Sequence, residues 1–484
     1  MTAISRHGLD PRHDQTAFDR YRPLIDDWEA FCCALERPLP PVVRANTLRL
    51  DAKTLLELLA REGIRARPLD WLPQALGFEG EFRPGRHWGQ MAGLYQVQEE
   101  VSLLPVVLLD PRPGERVLDL CAAPGNKTAQ LALALGNTGT VVANDLQPSR
   151  LAPLRLTIKR LGLVNVTVTQ GPGQRFPLQA GPFDRVLVDG PCSCEGTYRK
   201  NPTAARMLTP RWREAMVQRQ VQLLNRAVEL TRPGGRIVYS TCTFAPEENE
   251  GVVDKVLRVW GSELQLLPAR LAGFDGQPGI THWQGRDFDP QLVQTLRVWP
   301  HHRDTGGFFV AVLERRGGRQ RPSSIAAMPA GEPGYLEVFY QRFALTPADL
   351  AGLKVIAWGR QYLQLVPADH LPPGGLPLEG CGLPAVRIRT RPPRVTTAAA
   401  QALGHHARRN MVEVSAGQLR AYLTRETFRA GLRQLGNCTG PGPVLVRYRG
   451  FVVGLGQLGI LEEQGAPVVS LFPKAWMRGP GPEG

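Results

Sequence analysis

Between residues of about 111 and 315, short runs rich in β-branched residues alternate with longer amphipathic segments, and few architectures accommodate that rhythm. "RVLDLC", "TVVAND", "VTVT", "RVLVDG" and "RIVYSTC" read as strands. "PSRLAPLRLTIKRLG" and "PRWREAMVQRQVQLLNRAVELTRPGG" read as helices, the second stopped by Pro-Gly-Gly. A last apolar run, "GGFFVAVLERR", closes the series. Strand and helix in alternation predict an α/β fold, with a mostly parallel sheet covered by helices on both faces.

The 484 residues exceed one ordinary domain. Residues 1–90 hold "VVRANTLRL" and the helical "AKTLLELLAREGI", and read as a small α+β domain. The sheet occupies 91–316. A basic linker, 317–332, carries most of "RRGGRQRPSS". A further region, 333–484, includes "GPVLVRYRGFVVGLGQL", two strands joined by a turn. No internal repeat or heptad run is visible.

Composition narrows the partners. With 58 Lys and Arg against 44 Asp and Glu, the formal charge of +14 suits a polyanion such as nucleic acid. The most apolar stretch, "VSLLPVVLL", is short and broken by Pro105, so neither an export signal nor a membrane partner is expected. Eight cysteines without a small disulfide framework fit a reducing cytoplasm, and any special one among them is catalytic or metal-binding. The adjacent Cys32 and Cys33 sit in an apolar helical pattern and read as core.

The first strand ends in "LDLCAAPGNKT", a glycine-containing turn at the sheet edge where such folds bind cofactors. A Walker A loop would need glycine where Cys121 and Asn126 stand, and no G-x-G-x-x-G is present. Asp145 ends the next strand about twenty residues after Gly125, the place for a carboxylate that binds ribose hydroxyls. A nucleoside-bearing cofactor without a bound pyrophosphate fits, and S-adenosylmethionine is the commonest. Asp145 alone also reads as an ordinary helix cap before "QPSR".

Asp189 and Cys192 follow the fourth strand in "RVLVDGPCSCEG", and Cys242 follows the fifth in "YSTCTFAPEENE". Adjacent strands deliver their carboxyl ends to one crevice, so two thiols and a carboxylate converge beside the cofactor. That set suits methylation of cytosine C5. A thiolate adding to C6 makes C5 nucleophilic, and a carboxylate against N3 and the amino group promotes the addition. Lys127 either pairs with Asp189 or lowers a thiol pKa. The Cys192 and Cys194 pair has the spacing of half a zinc site, but no second pair or histidine cluster completes it, so no metal is expected and Cys194, like Cys121, reads as packing.

At these residues the sequence resembles the Nol/Nop/Sun family of RNA cytosine-5 methyltransferases. The likeness runs over roughly residues 40 to 315 through "RANTLR", "GLYQVQEEVSLLP", "DLCAAPGNKT", "VVANDLQPSRL", "VLVDGPCSCEGTYRKNP", "GGRIVYSTCTFAPEENE" and "DTGGFFVAVLE". It implies a Rossmann-like class I methyltransferase domain with a seven-stranded sheet. It implies that Cys242 is the nucleophile and that Cys192 assists product release, with Asp189 and Lys127 beside them. Methyl-donor binding is implied for Cys121, Ala122, Ala123, Pro124, Gly125, Asn126, Lys127, Asp145, Arg150 and Asp189, with S-adenosylmethionine as cofactor.

Two departures stand out. The family's aspartate after the third strand, which contacts the adenine amino group, is replaced around Pro172 in "VTQGPGQRF", leaving Gln170 or a backbone carbonyl to substitute. "DGPC" stands for the usual Asp-Ala-Pro-Cys. The C-terminal "PVLVRYRGFVVGLGQLGILEEQGAPVVSLFPKAWMR" resembles a PUA-like RNA-binding domain. Bacterial members with such a region act on the decoding region of 16S rRNA in the small ribosomal subunit, which implies that RNA as partner; nothing in the sequence suggests an obligate dimer, so a monomer is expected. A transfer RNA target and a catalytically inactive assembly factor are the alternatives.

Overall fold

The computed structural model describes residues 16–203, 209–319 and 322–477. Its centre is a ten-stranded sheet. We label its strands β1 (Arg116–Asp119), β2 (Thr140–Asp145), β3 (Val166–Gln170), β4 (Phe183–Asp189), β5 (Thr231–Thr241), β6 (Leu296–Val298), β7 (Phe308–Arg315) and β8 (Leu378–Cys381). The first seven lie in the order β3-β2-β1-β4-β5-β7-β6. β1 to β5 pair in parallel, and β7 runs antiparallel to β5 and β6. This is the α/β order of class I methyltransferases, and it reverses direction at β1, where a crevice opens at the carboxyl edge.

Three strands go beyond the expected seven, each covering backbone that would otherwise be open at a sheet edge. Leu264–Leu267 pairs with β7, Gln277–Pro278 with β6, and β8, from the C-terminal region, with β3. His370 and Cys381 anchor the last of these, both contacting the Thr167 hydroxyl.

Alternate residues of each strand face opposite cores. Val117, Val141, Leu187 and Val238 meet helices α1 (Asn126–Ala134) and α2 (Pro148–Leu161), whereas Leu118, Val142, Val186 and Ile237 meet α3 (Pro210–Leu230) and α4 (Glu250–Trp260). All eight strand residues are buried, each worth about 1.5–3 kcal/mol by transfer. α3 stops at Leu230, and the Pro-Gly-Gly read as its terminator lies at the start of β5.

The N-terminal region forms a four-stranded antiparallel sheet that takes its last strand from Tyr95–Val97, past the boundary placed at 90. Its helix Ala52–Ala60 is capped by Asp51, which accepts from the Thr54 amide at 2.7 Å. The C-terminal region carries a four-stranded and a five-stranded sheet. In the latter, Gly442–Tyr448 and Phe451–Leu458 form the expected hairpin, turned by Arg449 and Gly450 with φ of 51° and 84°. That sheet shares a core with the N-terminal one, Trp88 lying edge-on to Tyr448 at 4.9 Å. Cys32 is half-buried in the Trp28–Glu36 helix while Cys33 is exposed, so only one of the pair is near the core. Among the described residues no helix is long and apolar enough to cross a membrane.

Candidate active site

β1 delivers its chain end to the crevice, and the turn that follows is held by backbone bonds rather than by bulk. The Ala122 amide donates to the Asn144 carbonyl at 2.7 Å and the Ala123 amide to Asp145 Oδ2 at 3.0 Å. Gly125, at φ 108°, closes the turn, and a Cβ there would lie 2.7 Å from Leu154 Cδ1. Only glycine fits that approach. Asp145 Oδ1 also accepts from the Gln147 amide at 3.0 Å, a tight turn ahead of the next helix; the cap of that helix is Gln147, with no side-chain capping bond, so Asp145 braces the turn and is not the helix cap. Arg150 stands 3.7 Å from Asp145 and donates to the Ala123 carbonyl at 2.5 Å. Asn126 accepts from Gln96 at 2.7 Å.

Asp119, not singled out in the sequence, ends β1 behind this turn. Thr128 donates to its Oδ2 at 2.7 Å, and its Oδ1 is buried without a partner. Burial pushes its carboxyl up to about 7. An acid with a raised pKa holds a proton in the folded chain that the unfolded chain has already released near 3.8. The contribution of Asp119 to stability is therefore fully present in acid and lost as pH rises from about 4 to 7, so the difference between wild type and Asp119→Asn in denaturant titrations should change over that range. Parallel wild-type and variant profiles would contradict this.

Asp189 and Ser240 are register partners on β4 and β5. Asp189 Oδ1 accepts from the Ser240 hydroxyl at 2.8 Å and Oδ2 from Lys127 Nζ at 2.8 Å, the pairing that is one of the two roles expected for Lys127. Burial works against the lysine ammonium, but Asp189 more than offsets it and holds its pKa above the ordinary value. Beyond Asp189 the Gly190 amide donates to the Ser240 carbonyl at 2.9 Å. A Cβ at Gly190 would approach the Tyr239 ring to 3.3 Å, so the alanine usual in this motif would fit with a small shift.

Cys192 and Cys242 bring their sulfurs to 3.4 Å. Two buried acids hold the loops that carry them. Glu248 accepts from the Ser193 amide at 3.0 Å and from Gln220 at 2.9 Å, and Gln220 also donates to the Pro191 carbonyl. Glu195 accepts from Tyr21 at 2.8 Å and from Thr243 at 2.9 Å. Both sit within quoted motifs, but a charged residue in a loop gives no sign in sequence that it is buried.

Cys194 joins the pair. Its sulfur and those of Cys192 and Cys242 all lie within 4.8 Å of one another. Contacts with Cys194 and Cys242, and then burial, push the Cys192 thiol well up, while Cys194, accepting from both neighbours, is pulled down. The set takes a first negative charge readily and resists a second. Cys121 is half-buried and its thiol is raised by burial, in keeping with packing.

The family description "16S rRNA methyltransferase RsmB/F" matches residues 106–314, and an RsmF/B-like ferredoxin-like domain matches 21–83. A methyltransferase homolog protein from Pyrococcus horikoshii superposes with a TM-score of 0.54 at 30% identity, covering 63% of this chain and 100% of that one. The chain belongs to the RsmB/F methyltransferase family. Among RsmB/F-type relatives, ribosomal RNA small subunit methyltransferase F of Salmonella paratyphi C is 35% identical over 320 residues, 65% of this chain and 63% of that protein. A 28S rRNA (cytosine-C(5))-methyltransferase of Mus musculus is 36% identical over 292 residues, 59% of this chain and 36% of that protein. The chain thus spans less than two thirds of these curated relatives.

Proposed function

We propose that the chain is an S-adenosylmethionine-dependent RNA methyltransferase that forms 5-methylcytidine in ribosomal RNA through a covalent cysteine adduct. The contact of Cys192 and Cys242 at 3.4 Å beside the Asp189 and Lys127 pair carries this reading. The target base must be unstacked and turned into the crevice, because C6 is unreachable inside a helix. Asp189 accepts from the amino group and stabilises a proton taken up at N3 from solvent, and that proton draws electron density away from C6. Cys242 then adds to C6 as a thiolate, its charge supplied by proton exchange within the thiol set. When bound, the cofactor supplies the electrophilic methyl carbon that C5 takes. Cys192, once its own proton has passed to solvent, takes the C5 proton as a thiolate while the C6–S bond breaks and Cys242 leaves as thiolate.

The turn around Gly125, with Ala122, Ala123 and Pro124, fits a nucleoside cofactor, and the unpartnered Asp119 oxygen behind it would accept from a cationic donor group. Gln170, exposed and in register with Asp145, offers the amide that would replace the missing aspartate near Pro172. The alternative of an inactive assembly factor draws only on that substitution, while both thiols, Asp189 and Lys127 stand together.

The finer reading is a cytoplasmic monomer acting on 16S rRNA, with the C-terminal hairpin region as a PUA-like RNA-binding domain. The names of the relatives divide between small-subunit and 28S RNA. Incubating the protein with labelled cofactor and separated small and large subunits, then mapping 5-methylcytidine, is expected to place the label in small-subunit RNA. Label confined to the large subunit or to transfer RNA would overturn that assignment.

A further inference from the structure

We infer that Cys192, Cys194 and Cys242 form a binding site for one soft divalent cation of the zinc type. Taken with the proposed reaction, its occupancy would silence the enzyme by engaging both catalytic thiols. The sequence discounted a metal because Cys192 and Cys194 lacked a second pair. The fold supplies the third thiol from the next strand, fifty residues on.

The spacing fits. With Zn–S bonds of about 2.3 Å, tetrahedral geometry puts sulfurs roughly 3.8 Å apart. Here all three lie within 4.8 Å of one another, and the closest two at 3.4 Å, so small side-chain rotations suffice. Thiolates select soft cations over magnesium or calcium. No histidine or carboxylate of the described residues joins the cluster, which leaves the fourth position to solvent. Three thiolates around a divalent ion leave one net negative charge, and the cations of Lys127 and Arg150 lie close enough to act on Cys242 and Cys194 respectively.

Cys194 itself has an unusual setting. It adopts φ 59° and ψ 19°, the left-handed region. A non-glycine residue there costs about 1 kcal/mol that glycine would avoid. The third thiol is therefore held in place against the backbone's preference. Binding exchanges whatever protons the three thiols still carry for three metal–sulfur bonds, with no transfer of electrons.

Cadmium titration of the full-length reduced protein tests the site, read by the ultraviolet charge-transfer absorbance of cadmium thiolate and by proton release. One tight equivalent is expected. An outer-shell partner is typically worth about ten- to a hundredfold in affinity and a ligand no less, so Cys194→Gly should weaken it by at least about tenfold. Cys242→Ser should weaken it likewise, guarding against a fold defect in the first variant. Methyl transfer by the wild type should stop once one equivalent of cadmium is bound, and Cys194→Gly, whatever its own basal rate, should need at least about tenfold more cadmium for the same fractional loss. Equal binding by wild type and both variants would place the ion at other cysteines and overturn the inference, as would the lack of a thiolate band. The absorbance needs no turnover, so failure of the proposed reaction would leave this result readable.

Discussion

Cys242→Ala is expected to lower single-turnover methyl transfer by at least about 10⁴-fold while leaving thermal stability and cofactor affinity near wild type. The size follows from the chemistry. Cytosine C5 is a poor nucleophile until a thiolate adds to C6, and no neighbouring group replaces that addition. Cys192 is 3.4 Å away but sits on a separate loop, pinned through Ser193 to Glu248. The stability cost should be small, about 1 kcal/mol, because one half-buried sulfur is lost and no hydrogen-bonded carboxylate is stranded. A residual rate within tenfold of wild type would remove Cys242 from the nucleophile's role.

Asp189→Asn is expected to lower kcat by about 10²–10⁴-fold, with a smaller rise in KM for RNA. The carboxylate joins the Ser240 hydroxyl to the Lys127 ammonium at 2.8 Å each, and in the proposed reaction it is the acceptor for protonated N3. An amide keeps the shape but cannot hold that proton on the ring. It also leaves Lys127, whose side chain is only 13% exposed, without its counter-ion, so a stability loss of about 1–3 kcal/mol should accompany the kinetic defect. Thermal unfolding and steady-state kinetics on the same preparation separate the two effects. Unchanged kcat would exclude Asp189 from base activation.

Much of this arrangement was legible because it follows from periodicity. β-branched runs of regular spacing required a covered parallel sheet, and adjacent strands in such a sheet bring Asp189 and Cys242 to one edge whatever the side chains between them. What escaped depends on tertiary context. β8 comes from "LEGC", which has neither alternation nor a β-branched residue and pairs across a bulge with β3. Cys194 read as packing because its place in the thiol cluster depends on a left-handed backbone at one residue. Asp119, Glu195 and Glu248 went unremarked because a carboxylate at a strand end or in a loop gives no sign of burial, yet each is almost wholly buried. The helix stops at Leu230, before Pro-Gly-Gly, and the strand begins at Thr231 and runs through those residues rather than starting beyond them.

The most direct measurement is a denaturing gel of wild type, Cys192→Ala and Cys242→Ala after incubation with S-adenosylmethionine and small-subunit RNA. If Cys242 adds to C6 and Cys192 is needed to resolve the adduct, Cys192→Ala alone should run as a slower band that ribonuclease collapses. A slower band in Cys242→Ala and none in Cys192→Ala would reverse the two roles. Methylated RNA accumulating without an adduct in either variant would contradict covalent catalysis altogether.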